Sequence, residues 1–476
     1  MQDKGFEENS LWMSKNDLFQ DLRLLHLHAL RNWLYGMSQK KNINNTIVGF
    51  HMKIDDSCHL VFPWNVLDHK RNDVQKILKR GLEKIELDDE TLRDGLQSSS
   101  VRVPETEEKL KILHYMNSLG IHIANIGIPA AGALIKSDAM RIAQEVVDCK
   151  MNIKVACAGR TMISDLVPIV EISQKVGIPI ETHVFIGSSM IRRYVEDWDL
   201  DQMLKNTEES VAFCVENGLD VMYVTEDTTR ADPDVLEKLY KTAIGCGAKR
   251  ICLCDTVGYA TPDGVVNLMN FIKNLVEDSR EDVKIDWHGH NDKGLGLCNA
   301  LVAAIDAGAN RIHGTCLGIG ERSGNVSIDQ ILINLSLMGL FNSDLKVLKQ
   351  YCNYVSKVCE IPVSCNYPAM GKDAFRTATG VHAAAILKSL KKDDKNFLAD
   401  YVYSAVPAHK FGLEQEIEIG PVSGKANVIF WLEKRGFEAT PERIERIFNH
   451  VKRVNHVLSE EEIHMIVEQE EIKVGI

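Results

Sequence analysis

From residue 84 onward, short apolar runs rich in β-branched residues recur along the chain. They cover residues 84–87, 121–126, 153–157, 180–186, 221–224, 250–254, 283–287 and 311–315. Each reads as a buried strand. Between them lie longer segments with apolar residues on a helical period, such as 107–116. Strands that alternate with helices predict a parallel sheet, and such units repeated over roughly 250 residues fit a closed (β/α)8 barrel. The competing doubly wound sheet would carry G-x-G-x-x-G after its first strand, which this chain lacks. The expected fold class is therefore α/β, a (β/α)8 TIM barrel over 81–345. An N-terminal extension (1–80) precedes it and a mostly helical C-terminal region (346–476) follows. In the extension, apolar spacing predicts a helix over 15–35 and short strands at 47–52 and 59–62. Near the end, 458–472 reads as a Glu-rich amphipathic helix.

A barrel of this kind places its chemistry at the C-terminal ends of the strands, and polar residues cluster there. The seventh strand runs into Trp287-His288-Gly289-His290-Asn291-Asp292. Residues i and i+2 of a strand share a side, so His288 and His290 project together. The first strand runs into Asp89-Glu90-Thr91-Leu92-Arg93-Asp94-Gly95 and the eighth into Gly318-Ile319-Gly320-Glu321-Arg322-Ser323-Gly324-Asn325. In a closed barrel these three strands are neighbours, which brings Asp94 and Asn325 toward the histidine pair. Two imidazoles, a carboxylate and an amide oxygen suit Mg2+, Mn2+ or Zn2+ with positions left open. Such an ion polarises a 2-oxo acid carbonyl, and Arg93 stands where it stabilises the developing alkoxide.

Composition narrows the class. Of 476 residues, 45% are hydrophobic and 26% charged, as in an ordinary globular protein. A net charge of -12 argues against nucleic acid as the main partner. No apolar run approaches the ~18 residues of a membrane span, and the start lacks a signal-peptide pattern. The 12 cysteines contain no C-x-x-C pair; the Cys252-x-Cys254 pair reads as buried free thiols in a reducing compartment. A cytoplasmic protein is expected.

The three motifs resemble those of the 2-isopropylmalate synthase/homocitrate synthase family, metal-dependent barrel acyltransferases related to hydroxymethylglutaryl-CoA lyase. The resemblance is strong over 84–335 and weaker over 370–440. It implies a Claisen condensation of acetyl-CoA, the co-substrate, with a 2-oxo acid at a divalent metal, then thioester hydrolysis. It makes Asp94, His288, His290 and Asn325 the metal ligands and Arg93 the group that polarises the oxo acid. Thr256 becomes its carboxylate partner, and Glu226 and Glu321 active-site acids. It implies a homodimer in which the partner's C-terminal region completes the site, with His382 and Tyr403 acting in proton transfer or hydrolysis. Gln97, His183 and Arg160 are further substrate-binding candidates, and Arg192, Arg193 and Lys293 are candidates for the coenzyme A phosphates.

The chain departs from the family pattern at Leu96, Asn125, Cys254, Arg192 and Thr377, where many relatives carry Glu, Glu, Pro, His and His. These changes bear on the substrate pocket more than on the metal ligands. A dicarboxylic oxo acid would need a basic partner, for which His122, Arg160, His183 and Arg192 are candidates. The best single expectation is 2-isopropylmalate synthase chemistry on 2-oxoisovalerate, without a leucine-binding regulatory domain. Homocitrate, citramalate and Re-citrate synthesis, or a hydroxymethylglutaryl-CoA-type lyase reaction, are the alternatives.

Overall fold

The structure, a computed structural model, describes residues 85–392 and 397–468. The helix expected over 15–35 and the strands at 47–52 and 59–62 lie outside the described residues. Eight parallel strands close into a barrel in chain order. They are β1 (Glu86–Asp89), β2 (Ile123–Asn125), β3 (Lys154–Arg160), β4 (Glu181–Gly187), β5 (Val221–Glu226), β6 (Arg250–Asp255), β7 (Lys284–Gly289) and β8 (Arg311–Gly314). Closure is made by β1 on β8, in register from Glu86 opposite Arg311 to Asp89 opposite Gly314. Every expected run forms its strand.

Helices follow each strand because the intervening segments are amphipathic and well terminated. In Thr106–Leu119, Glu108 accepts the Glu105 backbone N–H at 2.9 Å to cap the start, and Gly120 ends the helix at φ +76°. Its Ile112, Leu113, Met116 and Leu119 are fully buried against the strands. Each contributes about 1.5–3 kcal/mol by leaving water.

The outward-facing strand residues thus build an aliphatic core beneath the helices. The inward-facing ones do not. Asp88, His183, Asp286, Arg311 and His313 are buried and Glu181 is half-buried, and they meet inside the barrel. Arg311 donates to Asp286 at 2.7 Å and to Glu181 at 3.3 Å. Arg250 adds a second guanidinium on Asp286 at 2.8 Å. Arg311, Asp286 and Glu181 tolerate burial as charges because each has opposite charge beside it. Neither oxygen of Asp88, in contrast, has a hydrogen-bond partner among the described residues, and burial pushes that carboxyl up to about 8.

After the barrel, helix Leu348–Val358 packs on Thr106–Leu119, and its Tyr351 donates to Asp89 at 2.6 Å. A short parallel pair, β9 (Arg376–Thr377) and β10 (Glu416–Ile417), precedes the last helices. Helices Lys425–Lys434, Pro441–Val451 and Glu460–Glu468 close over a small core of their own around Trp431, Leu432, Ile447 and Ile463. Among the described residues, no helix is long and apolar enough to cross a membrane.

Candidate active site

A cavity of about 280 Å³ opens at the C-terminal end of the barrel. The strand ends build it. The turn after β1 brings Asp94 inward, almost fully buried. Continuing from β7, His290 bridges to Asn325 across the loop that follows β8. Asp94 Oδ2 lies 3.6 Å from His288 Nε2 and 3.8 Å from His290 Nε2. These gaps are too long for hydrogen bonds, yet they lie within the roughly 4.2 Å that two ligands each about 2.1 Å from one ion can span. Asn325 Nδ2 donates to Asp94 Oδ1 at 2.8 Å, while its Oδ1 is buried without a partner among the described residues. A buried amide oxygen of this kind is a free ligand atom. The donor set therefore fits a divalent ion.

The electrostatics fit as well. Burial alone would raise the Asp94 carboxyl. The Arg93 guanidinium and the two imidazoles outweigh it and hold the group well below the usual carboxylate range. Burial pushes His288 well below an ordinary histidine, so its ring is neutral and keeps a lone pair for a metal.

Arg93 donates to Asp94 at 2.9 Å and pairs with Glu90. Its Nε is buried and unpartnered among the described residues. Thr256 Oγ1 accepts the Asp227 N–H at 2.8 Å, which leaves its own O–H to donate. Glu226 is raised by burial, partly offset by Arg192, whose guanidinium is 3.9 Å away. Gln97, His183 and Glu321 also line the cavity. His183 is held by Glu181 at 3.0 Å and Asn125 at 3.1 Å, and burial lowers its pKa.

Three expected residues stand apart from this cavity within the chain. Arg160 ends β3 but turns to Asp165, which it grips at 2.6 and 3.1 Å, and it is not among the cavity's lining residues. His382 and Tyr403 stack on each other, ring centroids 3.9 Å apart, and neither lines the cavity. Of the candidate basic partners, His122 accepts the Leu87 N–H at 3.0 Å away from the site. Arg192 sits at the rim between Glu196 and Glu226, and Lys293 donates to the Tyr259 carbonyl.

The structure adds residues that the sequence reading left without a role. Glu90 accepts from His313 Nδ1 at 2.9 Å and lies 3.8 Å from His288 Nδ1. His313 continues to Asp286 at 3.3 Å, and burial lowers it to about 4. At 3.8 Å Glu90 makes no hydrogen bond to His288; it holds His313, whose ring packs edge-on against that of His288 with centroids 5.8 Å apart. The signal for these residues was the same i, i+2 spacing: Asp286 precedes His288 by two, and His313 follows Arg311 by two.

Known proteins agree with this geometry. The HMGL-like family model matches residues 84–355. The chain is 30% identical over 369 residues to homocitrate synthase AksA of Methanopyrus kandleri, covering 76% of this chain and 86% of that protein. It is 29% identical over 374 residues to 2-isopropylmalate synthase of Sulfurisphaera tokodaii, covering 78% of this chain and 91% of that one. Among solved structures, HMG-CoA lyase of Bacillus subtilis superposes with a TM-score of 0.50 at 20% identity, over 59% of this chain and 95% of the lyase. That likeness concerns the barrel alone. With its strand order, its cluster of Asp94, His288 and His290, and these matches in hand, the chain belongs to the HMGL-like family.

Proposed function

We propose that the protein condenses acetyl-CoA with a 2-oxo acid and hydrolyses the resulting thioester, the oxo acid being 2-oxoisovalerate and the product 2-isopropylmalate. The observation that carries this reading is the cavity's two-sided wall. One side presents Asp94, His288, His290 and the unpartnered Arg93 Nε. The other is apolar, built from Ile128, Ala158, Phe185, Met222 and Val224. A divalent ion held by Asp94, His288, His290 and Asn325 would supply Lewis acidity toward the oxo carbonyl. Arg93 Nε donates to the oxygen that gains charge. The Thr256 hydroxyl binds the carboxylate. Glu226, whose carboxyl burial raises, faces the cavity as the group to move a proton.

A branched aliphatic substituent suits the apolar side. A second carboxylate would lack a free cation there, because Arg160 is taken by Asp165, Arg192 lies between two glutamates, and His183, which lines the cavity, is held by Glu181 and Asn125 and lowered by burial. In this reading a second copy of the chain supplies His382 and Tyr403. Two exposed apolar patches support a homodimer. Met190, Ile191, Tyr194 and Val195 stand on the segment after β4, and Val381 and Tyr403 on the C-terminal region. The domain division 1–80, 81–345 and 346–476 and a cytoplasmic location belong to the same proposal.

The test is an assay of free thiol release by metal-loaded protein given acetyl-CoA and a panel of 2-oxo acids. Turnover with 2-oxoisovalerate and loss of turnover with a chelator are expected. A preference for pyruvate, oxaloacetate or 2-oxoglutarate would overturn the substrate, and silence with every acid would overturn the reaction.

A further inference from the structure

Cys252 and Cys254 stand two apart on β6, so both side chains enter the barrel. Their sulfurs are 3.9 Å apart, and both residues line the cavity. With Met222 and Val224 of β5 they form a cluster inside the barrel, separate from the core beneath the helices. Among the described residues, neither thiol has a hydrogen-bond partner except the other. Burial raises the Cys252 thiol well above the ordinary range. The Cys252 thiol therefore rests protonated, a poor target for an oxidant that attacks a thiolate.

A centre that takes both sulfurs together meets a different situation. Two thiolates at about 2.3 Å from one tetrahedral ion are about 3.8 Å apart, and these sulfurs already hold nearly that spacing. Thiolate is the ligand that soft ions prefer over imidazole and carboxylate, so such a centre selects this wall over the histidine cluster. A second pair provides contrast. Cys316 and Cys352 also lie 3.9 Å apart, but both are packed in the main core and line no part of this cavity.

We propose that Cys252 and Cys254 form a chelating dithiol site, entered from the cavity, for a thiol-seeking centre of the class of trivalent arsenic and zinc-group cations. The inference is independent of the reaction assigned to the cavity. With arsenite, As(OH)3, two S–H bonds and two As–OH bonds break and two As–S bonds form. The two protons leave with the hydroxyls as two waters, and no atom changes oxidation state. Arsenite rather than zinc is the probe, because zinc, the least soft of the group, binds imidazole and carboxylate as well as thiolate.

The experiment uses the reduced full-length protein. After incubation with arsenite and desalting, arsenic per chain is measured, and anomalous scattering from arsenite-soaked crystals locates it. The expected result is one arsenic between residues 252 and 254. Cys252→Ser or Cys254→Ser should weaken binding by about 100-fold, the loss of chelation, and Cys316→Ser should leave it unchanged. No bound arsenic in the wild-type protein, or an anomalous peak at Cys316 and Cys352 instead, would overturn the site. The crystallographic reading on unaltered protein decides the matter even where a serine variant fails to fold.

Discussion

Glu90 is where the two halves of the site meet. One oxygen faces Arg93, and the other faces His313 and His288. Glu90→Gln removes the negative charge that faces Arg93, His313 and His288 and should lower the affinity of the proposed metal site by about 10–100-fold. Competition with a chromogenic chelator measures this, and an unchanged affinity would refute the role. Asp94, His288, His290 and Asn325 were legible in the sequence because strand alternation and closed-barrel adjacency dictate their meeting. Glu90 and His313 were not assigned, because Glu90 falls within the same run as Asp94 and the i, i+2 spacing of Arg311 and His313 says only that they share a face, not that they reach the site. Arg160 was misjudged for a local reason: Asp165, in the first turn of the next helix, offers it both oxygens at bonding distance.

Two other carboxyls make stability depend on pH. Burial raises Asp89 and Asp329 to about 6, against the hydrogen bonds that each accepts. Each binds a proton in the fold that it releases when unfolded. The contribution is full below about pH 4 and is lost as pH rises through 6. For Asp329 the shift corresponds to about 2–3 kcal/mol. Asp329→Asn removes that titration, so the stability of wild type relative to variant should fall by about this amount from pH 4 to pH 7.5. Urea unfolding at both pH values checks it, and a parallel pH dependence of the two proteins would contradict it.

At the scale of elements, the strand rhythm was the clearest signal. A strand buried on both faces shows an unbroken β-branched run, whatever its function. Boundaries were less legible. β2 covers only Ile123–Asn125 of the run at 121–126, and β3 extends to Arg160, past 157. Ladder pairing with neighbours sets those ends, not composition. The loop after β8 shows how an element holds chemistry. Gly320 adopts φ +152°, and a Cβ there would meet Asn325 Nδ2 at 2.2 Å and Asp94 Oδ1 at 3.3 Å. Gly320→Ala should thus displace two expected ligands together. Activity should drop by about 100-fold, the scale of a misplaced reacting group, with the barrel still folded by circular dichroism. Near-normal turnover would show that the loop yields without disturbing the ligands.

At the scale of the whole molecule, the proposed homodimer would place His382 and Tyr403 in sites shared between two copies. A mixture of Asp94→Asn and His382→Ala proteins, unfolded and refolded together, should regain activity that neither has alone. Dimers that pair the two defects contain one intact site. Absence of any regain in a mixture shown to contain mixed dimers would confine each site to a single chain. The C-terminal region was legible only as helical, since its few short strands leave no periodic trace.

The guanidinium of Arg311 reaches from β8 to Glu181 on β4, the far wall of the closed sheet. Cutting this protein into two four-stranded fragments would strand a carboxylate in one piece and a cation in the other. Unlike a barrel filled with aliphatic layers, it is ill suited to reassembly from interchangeable halves, and gene fusions that shuffle half-barrels should fail with this one unless both residues travel together.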